Sequence, residues 1–305
     1  MKPHVFLAVP FGKVFEQQVA ARYTIIKDSE QRAEAEALIT VSTTGANGAY
    51  MDRMPKLKLI CCFGSGYEGI DLAAAEKRGI KVANTGSANA SIVADFAVAL
   101  LLASIRKVVT GDQLTRAGEW RGENPAPLLF LRGLMGRKVG IVGLGAIGLK
   151  IAERLAAFET EIGYHNRRRK DVAYPYFDTV LDLAKWADVL ILAHRADETN
   201  RHMVDAGVLA ALGPEGHLVN ISRGSAVDED ALIAALKNGT ISGAALDVFE
   251  NEPAPRADLV SLPNIVVTPH LGGGTSEAIT ATGDAVIANL DAFFAGKPLP
   301  NPVTT

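Results

Sequence analysis

The run Val139-Gly-Ile-Val-Gly-Leu-Gly-Ala-Ile-Gly148 constrains this chain more than any other stretch. It reads as an apolar β-strand that turns through glycines straight into a helix. Gly143, Gly145 and Gly148 stand at the G-x-G-x-x-G spacing. The first glycine permits a tight turn, the second lets a pyrophosphate approach bare backbone, and the third lets the helix pack close on the strand. A helix starting at Ala146 and Ile147 then aims its unpaired N–H groups and positive dipole end at phosphate oxygens. Glycines alone would suit a turn in any βα unit. The apolar strand before them and the amphipathic run Ile147–Phe158 after them favour a dinucleotide site.

The expected second strand, Glu161-Ile-Gly-Tyr-His165, indicates which dinucleotide. An NAD site places Asp or Glu about 20 residues past the glycines to hold the adenosine ribose. Here the chain reads Asn166-Arg167-Arg168-Arg169-Lys170. A carboxylate would repel a 2′-phosphate, whereas a neutral Asn followed by arginines attracts one. Each charge-assisted Arg–phosphate bond contributes about 1.5–3 kcal/mol. Arg167 and Arg168 together therefore predict a preference for NADP(H) of about a hundredfold or more. Arg169 and Lys170 are expected to face solvent, and a wholly solvated basic turn is the ordinary alternative.

With 305 residues, 48% of them hydrophobic, the chain can bury two separate cores. A net charge of −3 gives no general attraction to nucleic acid. The N-terminal apolar stretch is too short for a signal-peptide core. Phe96–Ile105, the longest apolar run, is about half a membrane span. Cys61 and Cys62, adjacent in an expected buried strand, read as small core residues in a reducing, cytoplasmic setting. Neither has a His or Cys at metal-ligand spacing, so no metal is expected.

Short apolar runs alternate with helical patterns along the chain. Expected strands are Val5–Val9, Tyr23–Ile26, Ala37–Val41, Leu57–Phe63 and Lys81–Ala83, then Lys138–Val142, Glu161–His165, Val189–Leu192, His217–Asn220, Gly243–Asp247 and Ile265–Thr268. A long buried helix is expected over Ser91–Val109, a second piece over Gly111–Trp120, a break at Gly122–Pro127, and a last helix over Thr275–Phe294 before a proline-bearing tail. This alternation predicts an α/β protein with two doubly wound parallel sheets.

Three charged residues follow expected strands, at the ends where open α/β sheets bind ligands. They are Arg223 after Leu218–Ser222, Glu252 after Ala245–Asn251, and His270 after Ile265–Pro269. Singly, each has a plain explanation: a salt bridge, a turn residue before proline, a satisfied buried imidazole. Together, beside a dinucleotide fold, they meet the needs of hydride transfer to a 2-oxo acid. The substrate carboxylate calls for a bidentate guanidinium. The keto oxygen calls for a proton donor with a pKa near 7, a role suited to histidine. A carboxylate beside that imidazole keeps it protonated.

The same residues make the chain resemble the D-isomer-specific 2-hydroxyacid dehydrogenases. The resemblance runs from Gly64-Ser-Gly-Tyr-Glu-Gly-Ile-Asp71 to His270-Leu-Gly-Gly-Gly-Thr-Ser-Glu277. Asn220-Ile-Ser-Arg-Gly-Ser-Ala-Val-Asp228 looks like the family's arginine motif, Ala245-Leu-Asp-Val-Phe-Glu-Asn-Glu-Pro253 like its glutamate motif, and Thr268-Pro-His270 like its histidine motif. Tyr164-His-Asn-Arg-Arg168, Leu212-Gly-Pro-Glu-Gly216 and Val93-Ala-Asp95 point to the NADPH-dependent glyoxylate/hydroxypyruvate reductases, the branch that includes plant hydroxyphenylpyruvate reductases.

The resemblance implies a Rossmann NADP-binding domain at residues 98–285 inserted into a flavodoxin-like substrate domain at 1–97 and 286–305. It implies that Arg223 holds the carboxylate and keto oxygen, that His270 is the acid in reduction, and that Glu252 pairs with His270. It further implies that Asp247 bonds the nicotinamide carboxamide and that the N–H groups of Ser65 and Gly66 receive the substrate carboxylate. Ala193, His194, Thr199 and Ile221 would line the cofactor. Closure between the domains and a homodimer are family habits, with Gly111–Trp120 as the dimer arm, although Trp120 alone equally suits an intrachain core.

Thr85-Gly86-Ser87, the segment Ala193-His-Arg-Ala196 and the triplet Gly272–Gly274 depart from the usual pattern. The triplet permits a roomier pocket, so aryl pyruvates stand as an alternative to a small 2-oxo acid. A nucleotide-sensing binding protein, like the related C-terminal-binding corepressors, is the alternative from another class.

Overall fold

A computed structural model describes residues 2–122, 128 and 131–304, so the expected break lies, beyond Gly122, outside the described residues. The chain divides into two compact units, Met1–Asn89 with Gly274–Thr305, and Ala90–Gly273.

The first unit contains β1 (His4–Leu7), α1 (Lys13–Arg22), β2 (Thr24–Ile26), β3 (Ala37–Thr40), α2 (Gly48–Met51), β4 (Leu59–Cys62), α3 (Leu72–Lys77) and β5 (Lys81–Ala83). The second holds α4 (Ala90–Ile105), α5 (Val108–Arg116), β6 (Lys138–Val142), α6 (Ala146–Ala156), β7 (Glu161–His165), α7 (Val180–Trp186), β8 (Val189–Leu192), α8 (Ala206–Leu212), β9 (His217–Asn220), α9 (Glu229–Lys237), β10 (Gly243–Leu246), α10 (Ala257–Val260) and β11 (Ile265–Val267). The chain then returns to the first unit with α11 (Ser276–Phe294) and β12 (Pro302–Val303). Both α4 and α11 run unbroken through residues 97 and 286, and the units divide near the starts of these helices.

The first sheet has the order β12-β5-β4-β3-β1-β2, parallel except for β12 on β5. Its parallel part is the flavodoxin-like order, as expected. Side chains alternate between its two faces. Leu59 and Cys61 join the core under α11, whereas Ile60 and Cys62 join the core on the other face. The adjacent cysteines therefore point apart and form no disulfide with one another. Burial raises the Cys61 thiol pKa further from neutrality. Gly86 explains one departure from the family pattern. Its φ is +57°, and a Cβ there would meet Asn301 Oδ1 at 2.3 Å, so the turn requires glycine.

The second sheet is parallel throughout, in the order β11-β10-β9-β8-β6-β7. A further strand beyond β7 is reduced to one parallel bridge from Tyr176 to Tyr164. Pro175 accepts from Tyr164 N but has no N–H to extend the ladder. Counting that bridge, the strands begin in the Rossmann order 3-2-1-4-5-6. β8 reads as an unbroken apolar run because both its faces are covered. Leu190 and Leu192 pack toward α7, α8 and α9, while Val189 and Ile191 pack toward α4 and α6. All four are fully enclosed, and truncating either leucine to Ala should cost about 2–5 kcal/mol.

The helical pattern expected over Ser91–Val109 is broken. Lys107 takes a left-handed φ of +51°, so α4 stops at Ile105 and α5 starts at Val108. Trp120 is 58% exposed, which removes it from the intrachain core. Among the described residues no helix is long and apolar enough to cross a membrane.

Candidate active site

All the expected chemistry of the second unit lies just past the C-terminal ends of its strands. The glycine turn follows β6. Gly143 has φ +96°, and a Cβ there would lie 2.4 Å from His194 N, so the residue must be glycine. At Gly148 a Cβ would meet Gly143 O at 2.2 Å, whereas at Gly145 it would meet open space. Gly145 is the N-cap of α6 and makes no side-chain cap bond, leaving the first-turn N–H groups at Ala146, Ile147 and Gly148 for an anion. A dinucleotide pyrophosphate fits this cradle.

Past β7, Asn166 Oδ1 accepts from Leu144 N at 2.7 Å, bracing the glycine turn. Arg167 is 80% exposed, with Nη1 3.7 Å from Asp197 Oδ2. Arg168 is exposed as well. Past β8, Ala193 N bonds Val142 O, and the His194 carbonyl accepts from Ser222 Oγ. Both ring nitrogens of His194 are enclosed with no hydrogen-bond partner among the described residues, and burial lowers its pKa to about 4. Thr199 turns its hydroxyl to Asp197, which caps the short turn Glu198–Asn200. Ile221 is a core residue beneath this region.

Past β9, β10 and β11 stand the three charged residues. Arg223 is held extended before the turn Gly224–Ala226, with Nη1 donating to Ser222 O at 2.7 Å. His270 Nδ1 lies 2.8 Å from Glu252 Oε2, and Phe249 N donates to Glu252 Oε1 at 3.0 Å. The bond to Glu252 raises the His270 pKa above its ordinary value; partial burial and the Arg223 charge oppose this, and the Asp247 charge adds to it. Burial acts to raise the Glu252 pKa, but the His270 bond, the Phe249 N–H and the His270 and Arg223 charges bring it below the ordinary carboxylate value. Arg223, Glu252 and His270 thus share one electrostatic neighbourhood.

Asp247 is 2% exposed, and its carboxylate accepts from Thr268 Oγ1 at 2.6 Å and from Leu271 N and Gly272 N at 2.8 Å each. These bonds hold His270 at a left-handed φ of +55°, a strain typical of functional positions. An apolar cavity of about 330 Å³ is lined by Phe249, Pro253, Pro255, Val260, Val267 and Pro269, with Glu252 and His270 among its walls. Ser65 and Gly66 belong to the first unit, where Ser65 O accepts from Asn84 Nδ2 and Gly66 O from Cys62 Sγ, each at 2.8 Å. Sequence reasoning missed the bracing groups Asp197, which caps its own turn, and Glu229 and Glu250, whose partners lie in other segments.

The family described as D-isomer specific 2-hydroxyacid dehydrogenase, NAD binding domain, matches residues 98–272. Among similar proteins, glyoxylate/hydroxypyruvate reductase A of Arabidopsis thaliana is 39% identical over 311 aligned residues, covering 98% of each chain. Hydroxyphenylpyruvate reductase of Plectranthus scutellarioides is 37% identical with the same coverage. Among solved structures, an NADPH-dependent glyoxylate/hydroxypyruvate reductase from Sinorhizobium meliloti, in complex with NADP and malonate, superimposes with a TM-score of 0.92 at 36% identity, covering 100% of this chain and 97% of its own.

Proposed function

This chain belongs to the D-isomer specific 2-hydroxyacid dehydrogenase family, and from that premise we propose that it reduces a small 2-oxo acid, such as glyoxylate or hydroxypyruvate, to the D-2-hydroxy acid with NADPH. The bound dinucleotide supplies the hydride that reduces the keto carbon. Arg223 binds the substrate carboxylate and polarises the keto oxygen. His270, whose Nδ1 is engaged by Glu252, delivers its proton from Nε2 to that oxygen as negative charge develops there. In oxidation the same nitrogen takes the proton back. Glu252 keeps the imidazole charged and fixes its ring. Asp247 bonds the nicotinamide carboxamide while holding the His270 turn. Arg167 and Arg168 take the 2′-phosphate.

The observation that carries this reading is the 2.8 Å His270–Glu252 pair beside Arg223, in the same unit as the uncapped glycine cradle. It is tested by following NADPH oxidation by the purified protein with glyoxylate, hydroxypyruvate or phenylpyruvate. No turnover with any of them sinks it. The apolar cavity flanked by His270 and Glu252 favours a second reading, an aryl pyruvate, and a higher kcat/KM for phenylpyruvate than for glyoxylate would select it.

The protein is further proposed to work as a homodimer, supported by exposed Val108, Val109 and Trp120 on and after α5. Light scattering after size exclusion checks this, and a monomeric mass rejects it. Two cysteines buried in the core as reduced thiols, Cys61 and Cys62, support a cytoplasmic setting.

A further inference from the structure

Glu229 is the first residue of α9, a position that usually faces solvent, yet it is only 3% exposed. Enclosing a carboxylate is costly unless it is well bonded. One oxygen, Oε1, accepts from the main-chain N of Glu250 at 2.9 Å; the other, Oε2, is enclosed with no partner among the described residues. Glu250 lies two residues before Glu252, in the segment that leaves β10.

The same segment is gripped from a second side. Glu250 Oε1 accepts from Arg201 Nη2 at 2.8 Å and lies 2.7 Å from His202 Nε2. His202, at a left-handed φ of +51°, is itself tied by its N–H to Ser225 O. Gly224, the residue after Arg223, packs so tightly on this segment that a Cβ would lie 1.8 Å from the Phe249 carbonyl carbon. The turn after Arg223 and the segment bearing Glu252 therefore rest on one another, with the Glu229 carboxylate behind them.

We propose that Glu229 is a positioning residue: by holding the Glu250 main-chain N–H it sets where Glu252 stands against the His270 ring and keeps that segment seated on the Arg223–Gly224 turn. This rests on the role given to His270 and Glu252 under the proposed function. It makes no direct contact with substrate, so its removal should act through the imidazole.

The test compares Glu229→Ala and Glu229→Leu, which remove the acceptor, with Glu229→Gln, which retains a carbonyl acceptor. The readout is an NMR titration of the His270 ring in the full chain without cofactor, together with kcat and the NADPH Kd. The other charged groups acting on that ring, Glu252, Arg223 and Asp247, are left unsubstituted in every variant. Glu229→Ala and Glu229→Leu are expected to shift the His270 titration down toward its ordinary value and to lower kcat about tenfold or more, with NADPH Kd changed less than about twofold. Glu229→Gln should restore the titration and most of kcat. An unshifted titration in both acceptor-less variants overturns the proposal, even if their Tm falls. Should neither variant fold, amide exchange in the unmodified protein decides. A Glu250 amide slowed on the order of a thousandfold supports the proposal, and an unprotected one overturns it. Because the titration needs no turnover, absence of 2-oxo acid reduction would refute the proposed activity without touching this result.

Discussion

The proposed catalytic end of the second unit and its proposed cofactor-phosphate end are built on opposite terms. At the catalytic end, the Asp247 carboxylate gathers Thr268, Leu271 and Gly272, and Glu252 is bonded to both Phe249 N and His270. At the phosphate end, Arg167 is 80% exposed and lies 3.7 Å from the Asp197 carboxylate. The difference follows from what each end must do. Proton and hydride transfer lose large factors for a misplacement of about 1 Å, so their groups are fixed in advance. Attraction of a phosphate acts over several ångströms and tolerates mobile side chains, at the cost of being screened by salt.

Removing His270, the proposed acid, is the harshest way to break this contrast. His270→Ala should lower kcat by about 10²–10⁴ while the NADPH Kd stays nearly constant, measured by steady-state kinetics and fluorescence titration. Activity within tenfold of the unmodified protein would show that another group donates the proton. At the opposite end, replacing Arg167 and Arg168 together by Ala should weaken NADPH by about a hundredfold and leave NADH almost unchanged. The NADPH Kd of the unmodified protein should also rise with salt more steeply than that of NADH. Equal losses for both cofactors would remove the arginines from the 2′-phosphate.

The contrast also governs what was legible in the sequence. Gly143 and Gly148 were readable because backbone geometry dictates them, and Gly145 because it completes their spacing and leaves bare backbone at the start of α6. Arg223, Glu252 and His270 were readable because each stands at a strand end, and topology brings strand ends together. Strands buried on both faces, such as β8, announce themselves as apolar runs. The third strand of the Rossmann order left no such signal, because Pro175 confines it to one bridge at Tyr176. β12 was hidden by its brevity and by Pro302, and the stop at Lys107 by a helical apolar pattern on both sides of it. Bracing by Glu229 or Asn166 depends on partners about twenty residues away, a distance no local pattern encodes.

A milder change sharpens the account of the fixed end. Glu252→Gln keeps a hydrogen-bond partner for His270 but removes the charge. The folded-state pKa of His270 is raised, so the protonated form needed for reduction persists above the usual histidine range and is lost as pH rises through it. Without the Glu252 charge that loss should begin at lower pH. The alkaline limb of kcat/KM for reduction should move down, and the rate near pH 8 should fall about tenfold. A limb that does not move would assign it to another group.

The smallest expected effect probes the loose end. Asp197 Oδ2 lies 3.7 Å from Arg167 Nη1, so it competes with any phosphate for that guanidinium. Surface pairs of this kind contribute about 0–1 kcal/mol. Asp197 also caps the turn Glu198–Asn200 through Thr199 N, and Asn is an equally good cap. Asp197→Asn should therefore leave the Tm unchanged, tighten NADPH about two- to fivefold, and leave NADH unaffected, measured by calorimetric titration. If NADPH instead binds more weakly, Asp197 is holding Arg167 in its binding pose. The phosphate end would then be pre-set like the catalytic end, and the contrast between them would be one of degree.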